Sequence, residues 1–139
     1  MCLYYDKKYT KIFKKRKKKR FFVYKVLELE GGKLHSPYIS FFNTRLNWKP
    51  GYIKSNRLSN KISLCDAYNR YISKGIHIFL KKYDAIRLKT YGKNYVIIRL
   101  EVNMKDFVAA SRTEAVFTKV RLYKKEYIKC LNSLKVIKS

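Results

Sequence analysis

Alternation of apolar and polar positions dominates this chain. Phe22, Tyr24 and Val26 alternate with Val23, Lys25, Leu27 and Leu29 between Phe21 and Leu29. Aromatic and β-branched residues prevail there, which predicts a strand. Gly31-Gly32 predicts a turn at its end. Tyr38 to Phe42, after Ser36-Pro37, reads as a second short strand. Residues 43–63 are sparse in apolar side chains and read as a long loop anchored by Trp48 and Tyr52. A structureless loop of that length is unusual in a compact domain and often functional. Leu64 to Ser73 places Leu64, Ala67, Tyr68 and Tyr71 on one face of a short helix.

Gly75 then opens Ile76-His77-Ile78-Phe79-Leu80, a buried strand by composition, with His77 opposite Ile76, Ile78 and Leu80. Lys82 to Tyr91 predicts a helix with Tyr83, Ile86 and Leu88 as its apolar contacts and Gly92 as its C-terminal cap. Asn94 to Val102 is the clearest strand, centred on Tyr95-Val96-Ile97-Ile98. Asp106 to Ala110 is a short extended piece, and Ala115 to Tyr123 alternates again. Lys124 to Leu134 predicts a terminal helix with Tyr127, Leu131 and Leu134 on one side. Strands in runs with intervening helices, without regular βαβ units, predict an α+β fold. The expected architecture is a mostly antiparallel sheet, two or three short helices and a basic N-terminal arm.

Charge changes this picture most. The chain carries 34 Lys+Arg against 9 Asp+Glu, a formal +25 over 139 residues. Such self-repulsion opposes a compact state unless an anion neutralises it. The first 20 residues hold ten of the cations and a single acid, Asp6. Lys7, Lys8 and Lys11 precede the unbroken run Lys14, Lys15, Arg16, Lys17, Lys18, Lys19 and Arg20. Tyr5, Tyr9, Ile12 and Phe13 share one helical face ahead of that run. The domain reading is therefore an arm over 1–20, either helical or a disordered basic tail, and one α+β domain over 21–139. The stripe docks the arm on the domain or on a partner. AT-rich codon usage, visible in the abundance of Lys, Tyr, Ile and Asn, explains the diffuse excess of lysine as readily as function does. It explains the block at 14–20 less well.

Cations with interleaved aromatics suit nucleic acid. Lys and Arg neutralise phosphates and release counterions, and aromatic faces stack on exposed bases. The candidate nucleic-acid-binding residues are Lys7, Lys8, Lys11, Lys14, Lys15, Arg16, Lys17, Lys18, Lys19 and Arg20, with Tyr9 and Phe13 as stacking groups. An anionic membrane surface is the other polyanion such a segment meets. RNP1-like aromatics, a GXXG clamp and paired Cys/His fingers are all missing, so sequence-specific readout has no support.

Catalytic and metal signatures are equally sparse. GxxxxGK[ST], HExxH and GxSxG are absent. His77 on a strand reads as a structural histidine, and the shared face of Glu28 and Glu30 reads as charge balance. Cys2, Cys65 and Cys130 lack CxxC spacing, which argues against zinc or a disulfide framework and for a reducing compartment. Cys2 after Met1 is the position of a terminal-cysteine amidotransferase nucleophile, but Leu3-Tyr4 replaces the glycine-rich context. No catalytic residue, metal or cofactor is expected. No apolar run reaches bilayer-spanning length and Phe21 to Leu27 is too short for a signal-peptide core, so the expectation is a soluble, cytoplasmic protein.

Several segments together carry a resemblance. They are Val23-Tyr24-Lys25-Val26-Leu27, Ser36-Pro37-Tyr38, Gly75-Ile76-His77-Ile78-Phe79 with Asp84-Ala85, and Phe107-Val108-Ala109-Ala110 with Ala115-Val116-Phe117-Thr118-Lys119-Val120. Over roughly residues 22–122 the chain resembles a group of small uncharacterised proteins common in phage and other mobile-element genomes. The resemblance implies a viral origin, an accessory role and the host cytoplasm, and brings no catalytic residues with it. The strand-turn-Ser and Gly-Ile-His-Ile-Phe pieces are loosely similar to ADP-ribosyltransferase-like folds, which implies a nucleotide pocket near His77. The leading expectation is a non-enzymatic viral accessory protein that binds RNA, DNA or a host nucleoprotein complex through its arm. A virion or assembly protein contacting packaged genome, and an ADP-ribosyltransferase-like or nucleotide-binding domain, stand as alternatives.

Overall fold

The computed structural model describes residues 3–4, 6–15, 18–35, 48–55, 71–72 and 75–133. In chain order the elements are β1 (Leu3–Tyr4), α1 (Lys7–Lys14), β2 (Arg20–Glu30), β3 (Lys33–His35), β4 (Gly51–Lys54), β5 (Tyr71–Ile72), β6 (Ile76–Phe79), α2 (Lys82–Lys89), β7 (Tyr95–Asn103), a 3₁₀ turn (Met104–Asp106), β8 (Phe107–Ala110), β9 (Glu114–Phe117), β10 (Lys119–Leu122) and α3 (Lys124–Ser133). Eight strands form one antiparallel sheet, β4-β10-β7-β2-β6-β9-β8, with β3 also paired to β2, and β1 pairs with β5 separately. The fold is α+β with a mostly antiparallel sheet.

The two strongest alternating segments pair with each other. β2 and β7 run in continuous register from Arg20↔Asn103 to Glu28↔Tyr95. Val23, Leu27, Val96, Ile98, Leu100 and Val102 share their inner face and belong to the core. Gly31 and Gly32 adopt φ of 57° and 75°, the paired positive values a two-residue type I′ hairpin needs between β2 and β3. Thr118 divides the predicted 115–123 strand into β9 and β10, and its N–H donates to the Asp106 carbonyl at 2.8 Å. β9 pairs with β6 while β10 pairs with β7. Since β6 and β7 both flank β2, this bent strand carries the pairing round in a ring, and the core fills its interior.

α2 packs against β2, β6 and β7, and α3 against β7. The α2 contact is Ala85, fully buried, whereas Tyr83 and Ile86 are 70% and 45% exposed. The small side chain lets the helix approach the sheet closely, which corrects the expected Tyr83 and Ile86 contacts. Gly92 donates its N–H to the Lys89 carbonyl at 3.3 Å, but its φ is not left-handed. Its need for hydrogen in place of Cβ comes from Tyr95, whose ring atoms would lie 2.5 Å from an added Cβ.

Two further expectations are corrected. Gly51–Lys54, placed in the long loop, is an edge strand paired to β10 from Lys54↔Lys119 to Gly51↔Leu122. Its alternation is too short to stand out without its partner. Trp48 does anchor the core at 3% exposed, but Tyr52 points outward at 60%. Tyr71–Ile72, placed at a helix end, pairs with β1. The strand expected at 38–42, the helix over 64–70 and Leu134 lie outside the described residues.

Candidate nucleic-acid interface

α1 brings the basic segment onto the domain. Asp6 caps its N-terminus, accepting from the Tyr9 N–H at 3.1 Å. Thr10 is buried and makes two bonds with Ala110 of the edge strand β8. Its hydroxyl donates to the Ala110 carbonyl at 3.0 Å and accepts the Ala110 N–H at 3.1 Å. One side chain thus satisfies backbone groups that an edge strand otherwise leaves without partners. Three positions on, Phe13 is 7% exposed, stacked on Phe107 at 4.9 Å and edge-on to Phe21 at 5.6 Å. Phe13 is therefore a core residue and not a stacking group, because neighbouring rings already occupy its faces.

The lysines occupy the rest of the helix surface. Lys7, Lys8, Lys11, Lys14 and Lys15 are all exposed. Lys8, Lys11 and Lys15, at i, i+3 and i+7, form a stripe away from the Thr10/Phe13 side. Tyr9 and Ile12, 36% and 56% exposed, form a separate apolar strip. Lys18 and Lys19 are exposed, and Arg20 begins β2 with its side chain in solvent. The Lys19 carbonyl accepts from the Met104 N–H at 2.8 Å, which ties this connection to the 3₁₀ turn. Arg16 and Lys17 lie outside the described residues, as do Tyr5 and Cys2.

The alternative sites have their own chemistry. Lys25 lies on the core face between Val23 and Leu27, a position alternation predicts to be apolar. Its Nζ donates to the His77 carbonyl at 2.8 Å and lies 5.7 Å from the centre of the Trp48 ring. Burial holds its pKa down to about 8, against the opposing pull of Glu114. Burial likewise raises the Glu114 carboxyl, with Lys25 drawing it back. The register of β2 with β6 is a single pair, Tyr24↔Phe79, so the lysine supplies a donor where a continued ladder would have supplied a backbone N–H. The His77 side chain is half-buried on the opposite face of β6 from Ile76 and Ile78, as expected.

Glu28 and His35 face each other across the β2–β3 hairpin, and Glu30 Oε2 sits 3.1 Å from His35 Nε2. The ligand atoms of Glu28, Glu30 and His35 lie within 4.8 Å of one another. Their composition suits a divalent cation, but the imidazole–carboxylate pairing also accounts for the grouping without one. Cys130 Sγ donates to the Ile97 carbonyl at 3.1 Å, and burial pushes its pKa to about 11, the reverse of an activated thiol. Among the described residues no helix is long and apolar enough to cross a membrane.

No family model, curated protein or solved structure matches this chain.

Sequence reasoning missed a second cationic surface. Lys119 and Arg121 approach the ring of Tyr52 at 4.9 and 5.4 Å, Arg121 also covers Tyr123 at 4.5 Å, and Arg99 covers Phe22 at 4.3 Å. These residues come from β2, β4, β7, β10 and the position that follows β10. They form no contiguous motif, and only strand register assembles them.

Proposed function

We propose that this protein is a non-enzymatic nucleic-acid-binding accessory factor of a virus or mobile element, acting through the lysine face of α1 and the basic residues that follow it. One observation carries this reading. Thr10 and Phe13 fix one side of the helix to the domain, while Lys7, Lys8, Lys11, Lys14 and Lys15 remain in solvent on the rest of it. A helix held in place keeps its cations clustered without the entropy cost of ordering a free tail. Their mutual repulsion is relieved when a phosphate backbone approaches. Phosphate contacts of this kind position a protein on nucleic acid without reading base sequence.

Fluorescence anisotropy with a labelled duplex, repeated across a salt series, tests the reading. Each phosphate contact steepens log K against log[salt] by about 0.9 on duplex DNA. Lys8→Gln/Lys11→Gln/Lys15→Gln is expected to flatten that slope by about 2–3. A slope unchanged by the triple substitution, or no binding by the wild type at low salt, refutes the proposal.

A further inference from the structure

The second cationic surface has an order that scattered surface charge lacks. Tyr52 of β4 pairs with Arg121 of β10, Arg121 with Glu101 of β7, and Glu101 with Phe22 of β2. Alternate residues of a strand share a face, and directly paired residues of an antiparallel ladder point the same way. The four side chains therefore form one row across four strands, on the face turned away from the core. The row runs aromatic, cation, carboxylate, aromatic. It spans three strand spacings, about 14 Å.

Its neighbours extend the pattern. Lys54 and Lys119 pair beside it, as do Arg20 and Asn103, while Arg99 pairs with Tyr24 on the far side. Two acids of this face are engaged, and Asp106 lines the same cleft as Arg20, Tyr52, Lys119 and Arg121. Glu101 accepts from the Tyr123 hydroxyl at 3.0 Å, and Glu126 pairs with Arg99 at 3.1 Å. The cations of Arg20, Lys54, Lys119 and Arg121 remain in excess. Large aromatics here stay in solvent, with Tyr52 60% and Phe22 41% exposed. An exposed tyrosine on an edge strand adds nothing to the core, and its ring lies among cations that a phosphate chain neutralises.

We propose that this sheet face is a stacking surface for single-stranded nucleic acid, with Tyr52 as the principal stacking ring and Lys119 and Arg121 as the phosphate contacts beside it. The proposal rests on the polyanion reading of the preceding subsection and adds the ligand class. Rings on a flat sheet reach only bases whose faces are free, so a duplex gains nothing from them. Four-stranded sheets that carry aromatics stack two or three unpaired bases. The Arg121 guanidinium, 5.4 Å from the Tyr52 ring centre and 4.5 Å from that of Tyr123, adds a cation–π contact beside the stacking ring and carries N–H donors suited to phosphate. Arg20 belongs both to this face and to the end of the basic arm, so one strand of nucleic acid can leave the sheet past the exposed Lys19 and Lys18.

The test compares a labelled 20-nucleotide single strand with a duplex of equal length, by anisotropy, on the full chain. Four proteins are measured: wild type, Tyr52→Ala, Tyr52→Phe and the triple arm variant Lys8→Gln/Lys11→Gln/Lys15→Gln. Circular dichroism confirms that each is folded. Tyr52→Ala is expected to weaken single-strand binding by between about fivefold and a hundredfold. Duplex binding should stay within about twofold of wild type, and Tyr52→Phe should retain single-strand affinity, since the ring alone is needed. If Tyr52→Ala binds the single strand as wild type does while the arm variant weakens both ligands, the stacking surface is overturned and the arm reading survives. If Tyr52→Ala weakens single strand and duplex equally, the surface acts by charge alone and the proposal fails. If polyglutamate of matched charge displaces the single strand as well as unlabelled oligonucleotide does, an acidic protein partner takes its place. No binding of either ligand by the wild type at low salt removes both readings together.

Discussion

Replacing Lys25 by methionine separates the electrostatic cost of the buried ammonium from everything else in the fold. The lysine titrates at about 8 in the native protein and at 10.5 in the unfolded chain, because burial disfavours its charged form. Between those values the unfolded chain holds a proton that the native protein has released. Unfolding then takes up a proton, and rising pH stabilises the fold. Above about 10.5 both states are neutral and the penalty is absent; below about 8 both are charged and it is fully present. The interval corresponds to about 3 kcal/mol. Lys25→Met removes this titration. It also removes the donor to the His77 carbonyl, which costs about 1–3 kcal/mol if that group stays dry. At pH 7 the variant is therefore expected to range from equal stability to a gain of about 2 kcal/mol. The stronger expectation concerns the difference curve. Stability of the variant minus that of the wild type should fall by about 3 kcal/mol from pH 8 to 10.5. Urea denaturation followed by circular dichroism at half-unit steps measures it. Cys130, raised to about 11, contributes with the opposite sign, but it does so in both proteins and cancels from the difference. A flat difference curve would mean that the ammonium reaches water, and the account of Lys25 as a charge inside the ring of strands would be wrong.

Other substitutions probe the remaining joints of the molecule. Thr10→Val keeps the shape but strips both bonds to Ala110, and should cost about 3 kcal/mol in urea melts; recovery of most of that by Thr10→Ser is expected, and a cost below about 1 kcal/mol contradicts the edge-sealing role. Phe13→Ala removes a ring packed between Phe21 and Phe107 and should cost about 3–5 kcal/mol, whereas a stability-neutral variant would return Phe13 to the solvent. Cys130 should resist iodoacetamide in the native protein at pH 8, where about one thiol in a thousand is ionised; mass spectrometry showing alkylation at the rate of a free cysteine would refute its burial. Gly75→Ala places a Cβ 2.5 Å from Val116 Cγ1 at a φ of +101°, so thermal melts should show a lower midpoint; an unchanged midpoint means the turn has relaxed.

Local pattern was sufficient for the centre of the fold. The period-two alternation at 21–29 and 94–102, the paired glycines at 31–32 and the helical spacing at 124–134 predicted β2, β7, the turn after β2 and α3, because each is a property of adjacent residues, whereas the short strand β3 that closes the hairpin was not foreseen. The basic residues of the candidate interface were legible for the same reason, being contiguous in the chain. Which side of α1 faces the domain was not. Phe13 reads alike as a stacking ring or a core ring until β8 and Phe107 lie beside it.

Composition and periodicity by themselves determined an α+β chain with a heavy cationic excess at its amino end. Tertiary structure alone decided that Tyr52 belongs to a strand, that it stands in one row with Arg121, Glu101 and Phe22, and that Lys25 turns its charge inward beneath Trp48. The physical reason is that a strand's alternation says which residues share a face but not which strand lies alongside or in what register. Register is set by contacts between segments distant in sequence, and it is register that places a ring from β4 next to a guanidinium from β10.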